Sequence, residues 1–435
     1  MTDRHHACVR AAADYPVSRR VVAYLAVLGG YFFYCYNFLV TGYVRPELIE
    51  FYGHTLRQTA DITVAQNVGV TAGSVCAAMI VARIGKRYSI AIIAIGSGAL
   101  TVANIYFTQP WSWMLARGAI AFFLGGYYVA AVTLMVALFP QRYRAKLQAL
   151  NSGMFSAAEI VLGAIGAMAA EAHWLTLLWF GGLPPILLGL LIFAAVPDDR
   201  RMIGYGEVSN GSAASDAKSG WAEMFAPRFR RFTITCILLA GSNFTGYQLF
   251  SEFLTLYLRQ VRAFDAQQVG IAFSLVGVGS LLGGFFWAFV SDRYGRRVPA
   301  LGFVGAALLI VAYLVAPTST RIIQLAGFLY GVCLSCSYSW GVYFSEIFPA
   351  RLRPYGAALY HGGHIVSLLA PLAVATVANR YGIAAAMGLA PIVFLAGAAL
   401  WASLPETLRK ERFELEWNPE ARLEEVVAGA GPRSV

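Results

Sequence analysis

Few residues in this 435-residue chain can do chemistry, and several of them stand where water should be scarce. Glu159 sits in SAAEIVLG, inside a small and apolar run from Met154 to Ala170. Arg117 opens a second such run, RGAIAFFLGG, while Asn37, Asn243, Gln248 and His364 interrupt three more. A carboxylate there can carry a proton, a guanidinium or imidazole can hold an anion, and amides can hydrogen-bond a polar solute. Other chemistries are poorly supplied. There is no GxxxxGK[ST] loop to cradle ATP phosphates, and no nucleophile with a positioned base or metal-ligand cluster follows from the spacing. Cys333 and Cys336 form a CxxC in an apolar helix without further ligands, so they are expected to pack rather than bind metal. Neither enzymatic activity nor a cofactor is expected.

The elements that position these residues are membrane spans. The chain is 58% hydrophobic and 13% charged, with a mean hydropathy of +0.60, outside the range of ordinary soluble domains. Windows of about 20 apolar residues, enough to cross a bilayer, occur at 21–44, 63–82, 88–107, 113–137, 149–170 and 175–196 (spans 1–6). Six more occur at 232–258, 267–290, 299–316, 322–345, 357–378 and 384–403 (spans 7–12). The first twenty residues contain no apolar signal-peptide core. Of the 33 Lys and Arg, 26 fall in alternate loops or the termini, leaving Arg45, Arg57, Arg117, Arg259, Arg262, Arg321 and Arg380 on the other side or within spans. The positive-inside rule thus places both termini in the cytoplasm. The net charge of +10 is dispersed over these short loops, which argues against a nucleic-acid partner. The cysteines lie on the cytoplasmic side or inside spans, where disulfides are not expected.

Five regions follow: a cytoplasmic N-terminus (1–20), a six-span half (21–196), a polar linker (197–231), a second six-span half (232–403) and a charged tail (404–435). At the end of the linker, WAEMFAPRFRR could lie in the membrane interface with Trp221, Met224 and Phe225 buried in lipid. The halves echo each other. VARIGKRYSI after span 2 answers VSDRYGRRVP after span 8, and ALFPQRYRAK after span 4 answers SEIFPARLRPYG after span 10. Signatures at matching places indicate an internal duplication.

DRxGRR in Asp292–Arg297 and the paired FPxRxR loops, Phe139–Arg144 and Phe348–Arg353, resemble the major facilitator superfamily over essentially the whole chain. LGGYFFYCYNFLVTG in span 1, Arg117 in span 4, SEIFPARLR and the closing LPET resemble its sugar-porter-like branch, which includes carriers of aromatic acids and other metabolites. The resemblance implies an all-α membrane fold of twelve helices in two pseudo-symmetric halves that rock about a central cavity. Basic turns at the cytoplasmic helix ends can dock on carboxylates and helix C-termini to form a gate. Asp292, Arg293, Arg296, Glu346 and Arg353 are its expected members in the second half, with Arg83, Lys86, Arg87, Arg142 and Arg144 in the first. There the pattern departs, because Ala82 and Ala137 stand where the family has acids, so the gate is expected to be asymmetric.

The same resemblance indexes the interior. Counting from Arg144 to the fifth-span glutamine position of sugar porters lands on Glu159, and the matching count from Arg353 lands on His364. GSNFTGYQ in span 7 resembles the family's QQxxGxN, bringing Ser242, Asn243 and Gln248 to the cavity. Tyr247 and Trp340 lie beside these positions and are candidate aromatic walls. His361, one turn from His364, stays open as a second candidate. In the family's proton-coupled members an aspartate of span 1 communicates with the span 4 arginine. Here Asn37 takes its place while Arg117 is kept, and an amide carries no proton. Glu159 is then the acid that could pair with Arg117 or take up a proton when that pair opens, since an ionisable group at this depth is functional by default. A static counter-ion is the alternative. Arg45, near Glu47 and Glu50 at the outer end of span 1, is expected to snorkel or to gate, and Glu252 to sit at the outer rim.

The expected function is a monomeric secondary transporter in a bacterial inner membrane, moving a small organic acid or similar metabolite with a proton. The substrate would lie among Asn37, Arg117, Glu159, Asn243, Tyr247, Gln248, Trp340 and His364. A proton-antiport exporter of drugs or other organic compounds, and a non-transporting receptor on the same scaffold, remain open alternatives.

Overall fold

The computed structural model describes residues 17–408 apart from 139–140, 170–172, 197–219, 318 and 350–351. The N-terminus before residue 17, most of the linker and the tail beyond Leu408 lie outside the described residues. So do the side chains of Ala82, Ala137, Arg142, Arg144 and His361. Among the described residues every regular element is helical. Eight helical stretches are individually long and apolar enough to cross a membrane. Leu56–Ile84, Pro110–Leu138, Arg230–Phe250 and Ala300–Val315 complete the twelve spans.

Local sequence explains where these helices start and break. Spans 2 and 8 both begin in a capping box. Thr55 accepts from the Gln58 amide and Asp265 from the Gln268 amide, while each glutamine side chain accepts from the capping residue's own N–H. Donors that the first helical turn leaves unpaired are thereby satisfied. Four of the expected continuous spans are in fact interrupted. Span 7 runs as Arg230–Phe250 and Leu254–Gln260 around a 3-10 turn at Ser251–Phe253. In span 10 a 3-10 segment, Ser335–Ser339, separates Thr320–Leu334 from Trp340–Glu346, and each of its three serines bonds a carbonyl three residues back. Such side-chain bonds compete with the helical ladder. Spans 11 and 12 restart at Ala370 and Ala390, each followed by a proline, Pro371 and Pro391, which is tolerated at a helix start but not in its interior.

The packing repeats itself. Span 1 lies against spans 5 and 6, span 2 against span 4 and span 3 against span 6. Span 7 likewise lies against 11 and 12, span 8 against 10 and span 9 against 12. Two glycines mark this duplication at atomic scale. A Cβ on Gly73 would stand 2.0 Å from the Phe122 carbonyl oxygen, and one on Gly279 would stand 2.0 Å from that of Phe328. Gly73 and Gly279 are separated by the same number of positions as Phe122 and Phe328, so one close helix crossing occurs twice. The two halves meet along spans 5 and 8 and along spans 2 and 11. The piece after the linker packs on the second half rather than facing lipid throughout. Met224 is fully buried and its carbonyl accepts from Thr233, while the Trp221 ring meets Tyr355 edge-on.

Candidate functional site

Both described ends of the chain lie on one face of the membrane domain, the terminal face. On the far face, span 1 passes into a short helix, Arg45–Tyr52, that closes on span 7. Arg45 and Glu252 form an ion pair at 3.3 Å, with side chains only 1% and 2% exposed. The guanidinium also donates to Thr59 (3.2 Å) and Thr63 (3.0 Å) of span 2 and lies 3.9 Å over the Phe253 ring. Of the two roles expected of Arg45, the buried pair is at odds with snorkelling and consistent with gating, and Glu252 is enclosed rather than exposed at a rim. Both charges are enclosed where span 1 meets the 3-10 turn of span 7, close enough that a Cβ on Gly42 would strike the Glu252 carboxylate at 2.6 Å.

Gln248 belongs to this seal. It accepts from Asn67 of span 2 (3.2 Å) and donates to Ser367 in the break of span 11 (3.4 Å), so its amide joins the halves. On the same span 2 surface, Gln66 accepts from Thr41 (2.6 Å) and donates to the Phe38 carbonyl. Thr59, Thr63, Gln66 and Asn67 recur at helical spacing and form one polar stripe.

Glu159 lies deeper, 2% exposed, on the seam of spans 5 and 8. Its surroundings come from the other half. Tyr247, Tyr330 and Tyr338 are within electrostatic reach of its carboxylate, Ser156 one turn earlier bonds the Tyr338 hydroxyl at 3.0 Å, and Phe155 meets Tyr247 edge-on. Tyr247 is also within electrostatic reach of Glu252. Tyr330 and Tyr338 were not anticipated as neighbours of Glu159; Tyr330 precedes the 3-10 segment of span 10 and Tyr338 lies within it. Among the described residues Glu159 makes no ion pair.

Arg117 is fully buried and does not pair with Glu159 in this structure. It donates to the Asn37 carbonyl (3.4 Å) and lies 5.4 Å from the centre of the Trp113 ring, while its Nε and one terminal nitrogen find no partner. The reason is the facing of the helices, since Arg117 points toward span 1 within the first half and Glu159 toward the second. The Asn37 side chain is likewise committed inside the first half. It donates to the Phe33 and Gly181 carbonyls and accepts from Thr101, tying together spans 1, 3 and 6. It offers no free donor to a solute.

In the second half, Asn243 has a buried Oδ1 without a partner and Trp340 a buried Nε1 without one. Trp340 stacks on Phe344 and meets Phe303, Tyr360 and Trp401. His364 stacks on Phe244 with ring centres 3.9 Å apart, and Tyr360 meets the same Phe244 ring. An acceptor, a donor and an aromatic surface thus lie on adjoining helices.

On the terminal face Arg296, rather than Arg293, is the centre of the charge network. Its guanidinium is bidentate to Glu346 (3.0 Å to each oxygen) and also reaches Asp292 and Ser291. Burial works against the charge of Arg296, but hydrogen bonds to Glu346 and Asp292 outweigh it and raise its pKa above the ordinary arginine value. Glu406 of LPET accepts from the backbone N–H groups of Arg296 and Arg297, and Thr407 donates to Glu346. The loop, span 10 and the chain end are thereby bound together within the second half. Arg293 is exposed beside them, and Arg353 starts the helix of span 11. In the first half Arg83 is exposed at the end of span 2, and Arg87 donates to the Phe193 carbonyl and lies over the Tyr88 and Phe193 rings. Arg144, expected at the gate, has a side chain that lies outside the described residues.

Comparison with known proteins matches this architecture. The sequence model of the Major Facilitator Superfamily matches residues 27–266 and again 243–427. The cis,cis-muconate transport protein of Acinetobacter baylyi is 24% identical, over 75% of this chain and 79% of its own. The sialic acid transporter NanX of Escherichia coli is 22% identical over 71% and 74%, and the gallate transporter of Pseudomonas putida 21% identical over 80% and 82%. Among solved structures, a bacterial homolog of the human lysosomal transporter Spinster in an inward-facing, unoccupied conformation superposes with a TM-score of 0.77 at 15% identity. It covers 93% of this chain and 99% of its own. The xylose transporter XylE from E. coli, inward open, gives 0.69 at 17% identity, covering 93% and 100%.

Proposed function

Because the chain belongs to the Major Facilitator Superfamily, and is therefore a transporter rather than an enzyme, we propose that it imports a small organic acid together with a proton, with Glu159 as the proton carrier. The observation that carries this reading is the placement of Glu159. It is buried on the seam between the halves, among hydroxyl groups of the opposite half and, among the described residues, without an ion pair. An ionised carboxylate at bilayer depth costs about 3 kcal/mol or more unless compensated, and a seam that opens and closes changes that compensation in each cycle. Arg117 keeps two uncommitted nitrogens in a neighbouring membrane layer and is the natural partner for a carboxylate in another conformation.

Relatives named for muconate, sialic acid and gallate transport support an organic acid as substrate. The unpartnered Asn243 Oδ1 and Trp340 Nε1 supply hydrogen bonds, and the stacked Phe244 and His364 rings a flat wall on which a planar acid can lie. Asn37 and Gln248 then act as structural ties rather than ligands. Sealed at Arg45–Glu252, the far face is closed, so access in this reading runs from the terminal face, which the basic loops favour as the cytoplasmic side of a bacterial inner membrane. The protein works as a monomer in this reading.

The test is uptake by proteoliposomes under an imposed inward proton gradient. Muconate, gallate and sialic acid are to be compared with xylose and a cationic dye. Gradient-driven accumulation of an acid but not of xylose or the dye supports the reading. Expulsion of the dye instead would establish the exporter alternative.

A further inference from the structure

We propose that Arg45, held in place by the hydroxyls of Thr59 and Thr63 that accept from it, forms a carboxylate-binding site at the far face, which Glu252 fills while that face is closed and a carboxylate solute fills when it opens. This rests on the organic-acid reading above. The site is already built: an arginine 1% exposed is framed by two hydroxyls of span 2 and the Phe253 ring.

Glu252 fills it imperfectly. A single contact, one terminal nitrogen to one oxygen at 3.3 Å, joins the two charges, and Arg45 Nε has no partner. A carboxylate free to orient can use Nε and a terminal nitrogen together, the bidentate geometry that guanidinium favours. Glu252 also sits on the part of span 7 best able to withdraw, the 3-10 turn between Arg230–Phe250 and Leu254–Gln260. Beside the pair, a cavity of about 580 Å³ opens on the far face, lined by Pro46, Ile49 and Glu50 from the first half and Arg259, Gln260 and Phe264 from the second. Pro46, which lines it, directly follows Arg45 in the chain.

Separating a buried ion pair leaves both charges uncompensated unless water or another ion replaces the lost partner. An anion that binds Arg45 only after Glu252 has left therefore favours the open state in proportion to its occupancy. Glu252 is then a built-in competitor, holding the far face shut until a solute of like chemistry takes its place.

Spin labels at Phe51→Cys and Val261→Cys, both exposed and one in each half, report opening of the far face by pulsed electron resonance in lipid nanodiscs. Adipate and benzoate serve as probes, with sorbitol as the uncharged control. Glu252→Gln should raise the open-to-closed ratio about tenfold without solute, within the ordinary range of coupling energies. Adipate or benzoate should widen it further in Glu252→Gln, at concentrations that act weakly on the unsubstituted chain, and should have no effect in Glu252→Gln with Arg45→Gln. Arg45→Lys, which keeps the charge, guards against a misfolded variant and should retain part of the response.

A Glu252→Gln protein with unchanged distances, no response to either acid in that variant, or an equal response after Arg45→Gln would each overturn the proposal. If the protein accumulates acids while the Arg45 dependence is missing, only this site fails. If it accumulates no acid although the Arg45-dependent response is present, only the substrate reading fails.

Discussion

Replacement of Arg117 by methionine should stabilise the protein while abolishing transport. Arg117 is fully buried, makes one long hydrogen bond of 3.4 Å, and leaves two guanidinium nitrogens unpaired. Each unsatisfied buried donor costs about 1–3 kcal/mol, and methionine retains the flexible apolar stem that fills the site. Against this stand the loss of one weak hydrogen bond, about 1 kcal/mol, and of the contact with Trp113, about 1 kcal/mol. The balance favours the variant by about 2 kcal/mol. Replacement of buried charges by apolar groups of similar volume is known to stabilise proteins by amounts of this order. The assay is thermal unfolding in detergent, followed by uptake in proteoliposomes. A higher unfolding temperature without transport shows a charge kept for function at the expense of stability. A lower unfolding temperature refutes the reasoning, since Arg117 would then be a structural tie whose donors are met in the folded protein.

Three further outcomes follow from the same packing. Gly73→Ala and Gly279→Ala should each cost about 1–3 kcal/mol as the crossing helices are forced apart, whereas Gly341→Ala, with open space around its Cβ, should cost nothing measurable by thermal unfolding. Equal effects at all three positions would contradict the close crossings. Glu346→Gln should lower stability by about 1–3 kcal/mol, because Arg296 loses its bidentate carboxylate. Exposed Asp292→Asn, with its side chain 72% exposed, should cost under about 1 kcal/mol. Trp340→Phe should leave the unfolding temperature nearly unchanged, because the cavity left among Phe303, Phe344, Tyr360 and Trp401 offsets the removal of a buried, unpaired indole N–H, yet weaken substrate binding about tenfold in a titration if that donor meets the solute.

Much of this architecture was legible in the sequence for definite physical reasons. Span length and apolarity are dictated by the bilayer, and repeated basic turns reveal two halves. The helix breaks were not read from the sequence, although Pro371 and Pro391 are a signal for the restarts in spans 11 and 12. The three serines of Ser335–Ser339 were harder to interpret, because serine also occurs in unbroken helices. Side-chain facing was the part that one-dimensional indexing left open. Glu159 and Arg117 occupy neighbouring layers, but only the rotation of their helices shows that one faces the opposite half and the other faces span 1. Arg45 suggested a snorkelling side chain because it ends an apolar run. The signal against this was present in Thr59, Thr63, Gln66 and Asn67, a polar stripe on a helix otherwise suited to lipid. Its partner on span 7 became apparent only once the two halves met.

Proton movement in proteoliposomes with an internal pH dye tests the role of Glu159 most directly, with the unsubstituted protein beside Glu159→Gln. An accepted acid should acidify the lumen in the unsubstituted protein, and Glu159→Gln should still exchange labelled substrate without moving protons. Proton movement that survives in Glu159→Gln would show that Glu159 is not the carrier.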